Sequence, residues 1–259
     1  MLSQFYPLVF FLFSAAVILI AITVGYRLGL RKIKVKKEGQ KPSLGSAVGA
    51  MLALFGFMLA FTFSTTYSLF SQRKQLLLDD ANAIGTAVLR TDFLPEPSRT
   101  EARKLFKEYV DIRIDAVQHP DKLERFLQDS DRIQDELWSH VAELSDKTTN
   151  PRLLSLYINA LNQVIDLHSL RVTVASRYRI PRTVWFMLYF IGIQAMLAVG
   201  YELGLSGRAS VLAAMLIAFM FSAIIALIAD LNFVRPNASI TVDQEPMLDL
   251  QQKLDALID

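Results

Sequence analysis

Four strongly apolar runs without charged side chains divide the chain. They fall at residues 1–26, 42–72, 183–201 and 209–229, and contain PLVFFLFSAAVILIAITVG, LGSAVGAMLALFGFMLAFTFSTTYSLF, TVWFMLYFIGIQAMLAVGY and ASVLAAMLIAFMFSAIIALIA. A helix needs about 20 apolar residues to cross the hydrocarbon core. Each run reaches that length, which predicts transmembrane helices over 5–26, 44–70, 183–205 and 209–229. Four such runs in one short chain exceed what a soluble core of this size can bury. Tyr6, Tyr26, Tyr67, Trp185 and Tyr201 stand near the run ends, where amphipathic rings favour the headgroup layer. The first run has no basic segment before it and a basic cluster after it, so it reads as a retained helix rather than a cleaved signal.

The pattern changes between the second and third runs. Residues 73–182 hold 17 Lys+Arg and 17 Asp+Glu, with few glycines and no useful strand alternation. The segment 71–181 therefore reads as a helical extramembrane domain. The second run passes into QRKQLLLDDANAIGTAVLRTD without a break signal, predicting one long helix that leaves the membrane and continues. LPEPS ends it, with Ser98 and Glu101 spaced as a capping box. A helix to about Gln118 follows, then another over 121–146. Asn150-Pro151 marks a restart, with Asn150 as N-cap and Pro151 in the first turn. That helix is expected to reach Ile180, before Pro181. Its residues Leu154, Tyr157, Leu161, Val164 and Leu167 form one apolar stripe, suited to the domain core. In the tail, 230–259, a short helix carries Met247, Leu250, Leu254 and Leu257 on one face and is expected to dock on the helical domain. The fold class is thus all-α: four transmembrane helices with a helical extramembrane domain between the second and third.

Composition agrees with this picture. Of 259 residues, 53% are hydrophobic and 20% charged, and the formal charge is +2. No global basic field suggests nucleic acid. The absence of cysteine excludes disulfides, thiolate metal sites and Cys nucleophiles. Basic residues near the spans set orientation. Arg27, Arg31, Lys32, Lys34, Lys36, Lys37, Lys41 and Arg208 lie on one side, eight in all; Arg73, Lys74, Arg171, Arg177, Arg179, Arg182 and Arg235 make seven on the other. The dense loop at 27–43 favours that side as cytoplasmic, which puts the helical domain across the membrane from it.

Catalytic chemistry is not indicated. The chain lacks a phosphate-binding glycine loop, a zincin motif and a nucleophile elbow, so it does not read as an enzyme, and no cofactor is implied. His119, His140 and His168 are too dispersed to suggest a shared metal site. Asp79, Asp80 and Asn82 form a polar knot, best read as pairing within the helical domain, with cation binding as the alternative. Glu202 and Asp230 sit at span ends, where charge reaches the interface. The second run is the most informative. Gly45, Gly49, Ala53, Phe57 and Phe61 recur at four-residue spacing, and Gly56, Ala60, Ser64 and Ser68 make a neighbouring stripe of small residues. Small residues at this spacing allow close helix packing. Alternatively this face lines a pore, with Phe57 and Phe61 as two stacked apolar constrictions that gate by dewetting and Ser64 and Ser68 in a wetter mouth.

The run FTFSTTYSLFSQRKQLLLDDANAIGTAVLRTDFLPEP and the tail ITVDQEPMLDL carry a resemblance. Asp79-Asp80-Ala81-Asn82-Ala83-Ile84-Gly85, Leu94-Pro95-Glu96-Pro97 and Gln244-Glu245-Pro246 are similar to the bestrophin-like family of bacterial membrane proteins. The resemblance spans nearly the whole chain and implies a multi-pass protein of the bacterial inner membrane. Its motif residues here are Asp79, Asp80, Asn82, Gly85, Pro95, Pro97, Glu245 and Pro246. Bestrophins, more remotely similar, are pentameric ion channels whose second helix lines the pore and carries a neck of apolar residues. That resemblance implies a homo-oligomer in the lipid bilayer with inorganic ions as its cargo, Phe57 and Phe61 in the neck, and a cytoplasmic helical domain. Leu69-Phe70 stand in place of the paired tryptophans after the bestrophin pore helix, and no acidic calcium clasp follows the fourth run. The alternative is a non-conducting four-span protein whose helical domain acts as a sensor or scaffold.

Overall fold

A computed structural model describes residues 6–33, 44–145, 150–206, 210–233 and 242–258. Eight α-helices occupy these residues, with no strand among them. The chain divides into two compact units, 1–70 with 179–240 and 71–178 with 241–259.

The first unit holds α1 (Tyr6–Ile33), the beginning of α2 (Gly45–Arg90), α6 (Arg182–Ser206) and α7 (Val211–Asn232). Four helical runs are long and apolar enough to cross a membrane, within Pro7–Lys32, Gly45–Phe93, Pro151–Ser206 and Val211–Asn232. Ile18, Ile22, Phe55, Leu59, Leu188, Met196, Ile225 and Ile228 form their shared core. The tightest packing joins α1 and α6. A β-carbon on Gly200 would lie 2.0 Å from the Ile22 carbonyl oxygen, and one on Gly25 would lie 2.1 Å from that of Leu197. Gly29 and Gly204, one turn further on, meet in the same way. Two GxxxG pairs thus face each other and bring backbone onto backbone, the arrangement small residues permit in lipid. Buried hydroxyls close on their own helix: Thr62 and Thr66 donate to the carbonyls of Met58 and Thr62, each at 2.7 Å.

The second unit holds the rest of α2, then α3 (Ser98–Gln118), α4 (Leu123–Ser145), α5 (Pro151–Arg177) and α8 (Glu245–Ile258). Ile84, Phe106, Tyr109, Ile133, Leu137, Tyr157 and Leu161 are fully buried between them. Of the α5 stripe, Leu154, Tyr157, Leu161 and Val164 enter this core and Leu167 lies at its margin. Asn150 caps α5, its Oδ1 accepting from the Leu153 N–H at 3.4 Å, with Pro151 opening the helix.

Several local expectations are corrected. Ser98 and Glu101 form no capping box: α3 begins at Ser98, after Pro97. Glu96 does the work, its Oε2 accepting from the Thr100 hydroxyl at 2.9 Å and the Thr100 N–H at 3.3 Å. The Thr100 hydroxyl, first among the causes, holds the Glu96 carboxyl below its ordinary range. α5 stops at Arg177 rather than Ile180. Pro181 disfavours a helical residue before it, and the Ile180 N–H instead donates to Asn232 Oδ1 at 2.9 Å. In α8, Met247, Leu250 and Leu254 are buried, but Leu257 is exposed. α8 lies on α3, with Lys107 bonded to Asp255 and Gln251 donating to Asp111 at 2.6 Å. Lys34, Lys36, Lys37, Lys41, Arg208 and Arg235, on which the orientation count rests, lie outside the described residues.

Candidate pore helix and a buried charge network

α2 is 46 residues long. In its first half one face is buried by Phe55, Leu59, Thr62 and Thr66, at helical spacing. The opposite side is open. Phe57 is 66% exposed and Phe61 58%; Ala53, Ala60, Ser64 and Ser68 are exposed with them, and Gly56 is half-exposed beside them. A β-carbon added to Gly49 or Gly56 would meet nothing within 4 Å. Among the described residues nothing packs on these two glycines, in contrast to the glycines of α1 and α6. Only 17% of the most apolar stretch of α2 is buried, against 33% in α1.

This open side differs in chemistry from the other exposed faces of the unit. α6 presents Phe186, Met187 and Phe190, and α7 presents Leu212, Leu216, Phe219 and Met220. Such bulky apolar faces suit acyl chains. The stripe from Ala53 to Ser68 sets Leu54, Phe57 and Phe61 among the smaller Ala53, Ala60, Ser64, Thr65 and Ser68.

Further along α2, Asp79, Asp80 and Asn82 do not converge. Asp79 accepts from Gln75 at 2.9 Å. With Asn82, Thr86, Gln163 and Leu167 it borders a shallow groove of about 230 Å³. Asp80 is fully buried. Its Oδ2 accepts from Arg113 Nη2 at 2.7 Å and also from Arg171 Nη1; Oδ1 has no hydrogen-bond partner among the described residues. Arg113 Nη1 donates to the Tyr109 hydroxyl at 2.8 Å and to His168 Nδ1. Gln134 Nε2 donates to the same hydroxyl at 3.1 Å.

Chemistry assigns the protons here. A guanidinium only donates, so His168 Nδ1 must accept and its proton sits on Nε2, which faces Asp131 at 3.6 Å. Burial, reinforced by the Arg113 charge, lowers the His168 imidazole to about 4, so it is neutral at physiological pH. Burial also pushes the Tyr109 hydroxyl up. It lowers Arg171 to about 10, still cationic at neutral pH. One carboxylate therefore holds two guanidiniums, tying α2 to α3 and α5, with α4 joined through Gln134. The network contains no activated nucleophile. Among the described residues no group of three or more His, Asp or Glu is placed to hold a metal.

The remaining motif residues shape chain turns. Pro95 and Pro97 flank the turn from α2 to α3, exposed on either side of Glu96. Glu245 and Pro246 open α8, the Glu245 N–H donating to Asp243 at 3.0 Å. Gly85 faces Leu250 of α8, where a β-carbon would fit at 3.6 Å.

Residues 9–233 match the Bestrophin-like domain model. The chain belongs to the bestrophin-like family. Among solved structures, one variant of a bacterial bestrophin homologue from Klebsiella pneumoniae shares 13% identity over 95% of this chain and 98% of its own, with a TM-score of 0.69. A second variant shares 14% over 97% and 98%, also at 0.69. A structure described as a membrane protein shares 14% over 97% and 98%, at 0.68. A search of curated proteins finds no match.

In this bestrophin-like chain, sequence reasoning singled out Asp80 but missed Tyr109, Arg113, Gln134, His168 and Arg171. A signal was present. Phe106, Tyr109, Val110, Arg113 and Ile114 keep one face of α3, so Arg113 falls in register with core residues. Likewise Leu161, Val164 and His168 continue the α5 stripe by steps of three and four, and Arg171 follows.

Proposed function

We propose that this bestrophin-like chain is the subunit of a homo-oligomeric channel for small inorganic ions, with α2 lining the conducting path. The observation that carries this reading is the open side of α2: small and hydroxyl-bearing residues with Leu54, Phe57 and Phe61, left exposed among the described residues. A ring of copies turns that side toward a common axis. Phe57 and Phe61 then form two stacked apolar rings, which close the path by excluding water, while Ser64 and Ser68 line a wetter continuation. Gly56 and Ala60 at the edge of the stripe let neighbouring α2 helices approach. Family membership supports the same reading. We place the assembly in a bacterial inner membrane, as the family resemblance implies.

The test is ion flux from potassium chloride-loaded proteoliposomes carrying the purified protein at known density. The wild type is expected to conduct or to be gated shut, and Phe57→Ala with Phe61→Ala to raise conductance. Silence from both proteins, inserted and folded, contradicts the channel reading and favours a sensor or scaffold role for the helical unit. A monomer in mild detergent leaves no ring for α2 to line.

A further inference from the structure

At one end of the membrane-spanning unit, Arg179 and Arg182 flank Pro181 where α6 begins, and both side chains are exposed. The Arg179 guanidinium lies over the Phe233 ring, 5.7 Å from its centre. Phe233 in turn adjoins Phe10 at 6.3 Å, and Phe10 adjoins Trp185 at 5.9 Å. Three rings from α1, α6 and the end of α7 thus form an aromatic platform at the level where the apolar run of α6 starts. Trp185 is of a residue type enriched at membrane–water interfaces.

Neither arginine makes an ion pair among the described residues. The acidic side chains of the unit, among the described residues, are Glu202 and Asp230. Glu202 lies twenty residues further along α6, roughly 30 Å away, where its carboxylate accepts from the Leu44 N–H at 3.0 Å. Asp230 is buried. Two guanidiniums where the apolar run of α6 starts, with no ion-pair partner among the described residues, are open to an anion from outside. A guanidinium fork matches phosphate oxygens two at a time, and the platform beneath it offers rings to the upper acyl chain.

We infer that Arg179, over the Phe10–Trp185–Phe233 platform, and Arg182, at the start of α6, form a binding site for the phosphodiester headgroup of an anionic phospholipid. The inference rests on the membrane-spanning unit alone and does not depend on conduction.

The experiment is thermal-shift titration of the detergent-purified full chain with phosphatidylglycerol, phosphatidylcholine or inorganic phosphate. At about 1 kcal/mol per arginine near an anionic surface, two arginines correspond to about a 30-fold preference for phosphatidylglycerol over phosphatidylcholine. Arg179→Gln with Arg182→Gln should erase that preference. Arg179→Lys with Arg182→Lys should keep part of it, because charge remains while the fork is lost. Arg27→Gln with Arg31→Gln, basic residues at the other end of α1, should leave it intact. Equal stabilisation of the wild type by the two lipids overturns the proposal. So does a preference that survives the glutamine pair, or one lost instead with Arg27 and Arg31. Stabilisation by free phosphate equal to that by phosphatidylglycerol overturns the assignment to lipid.

Discussion

Replacing Asp80 by asparagine removes one charge and almost no volume, so its effect isolates the electrostatics of the buried network. In the wild type the Asp80 carboxylate is the acceptor for both Arg113 and Arg171, and is fully buried. Without it, the buried Arg113 and part-buried Arg171 guanidiniums lose their shared counter-charge. Removing one partner of a buried ion pair costs about 3–5 kcal/mol. Asp79 is the internal control. It is one residue away on the same helix, makes no ion pair, and accepts from Gln75 at the surface. Asp79→Asn should change stability by no more than about 0.5 kcal/mol. Thermal unfolding of the purified protein in a Trp185→Phe background, followed through Trp138 on α4, reports on the unit that contains the network. Asp80→Asn should melt far below the wild type and Asp79→Asn beside it. A double-mutant cycle with Arg171→Gln should then show a coupling of about 0.5–3 kcal/mol. If Asp79→Asn and Asp80→Asn melt alike, the network does not hold α2 to α3 and α5 as described.

Two further outcomes follow from the geometry. Gly200→Ala places a methyl against the Ile22 backbone, which cannot rotate away; a loss of about 1–3 kcal/mol or more is expected, seen as a lower Tm, whereas Gly56→Ala, with open space around it, should melt like the wild type. The His168 imidazole is lowered in the folded protein to about 4 from the usual 6.5, so the unfolded chain takes up its proton first as pH falls; the contribution is complete above pH 6.5 and is lost between 6.5 and 4, on the order of 3 kcal/mol, so the decline in Tm over that window should be shallower in His168→Gln than in the wild type.

The long-range plan was legible because the membrane imposes it. Four apolar runs of spanning length, and a charge-balanced helical segment between the second and third, follow from composition and period alone. The uninterrupted α2 was legible for a related reason: nothing between Phe70 and Arg90 breaks a helix. Helix ends were harder. The Ser98/Glu101 spacing fits a capping box, but Pro97 already sets the first turn and Glu96 reaches Thr100 from before the helix. The tight seam between spans was not read from the sequence: the glycines of the second run drew attention, whereas Gly25, Gly29, Gly200 and Gly204 close the seam between α1 and α6. A single helix does not reveal which partner its small face will meet. The charge network was half legible: Asp80 stood out in a polar knot, whereas Arg113 and His168 were hidden among residues that looked like ordinary core stripes. Their pairing is a property of three helices together, and no spacing within one of them contains it.

In the proposed channel, the open side of α2 faces water in a shared conduction path. The chain has no cysteine, so single cysteines can be placed without a background. Ser64→Cys on the open side and Phe190→Cys on the exposed face of α6 should be compared in proteoliposomes, in the Phe57→Ala and Phe61→Ala background, with a charged, membrane-impermeant thiol reagent. The account predicts that the reagent modifies Ser64→Cys and blocks its ion flux, and leaves Phe190→Cys unmodified and conducting. Flux through Ser64→Cys that is untouched by the reagent, or equal labelling of the two positions, contradicts it.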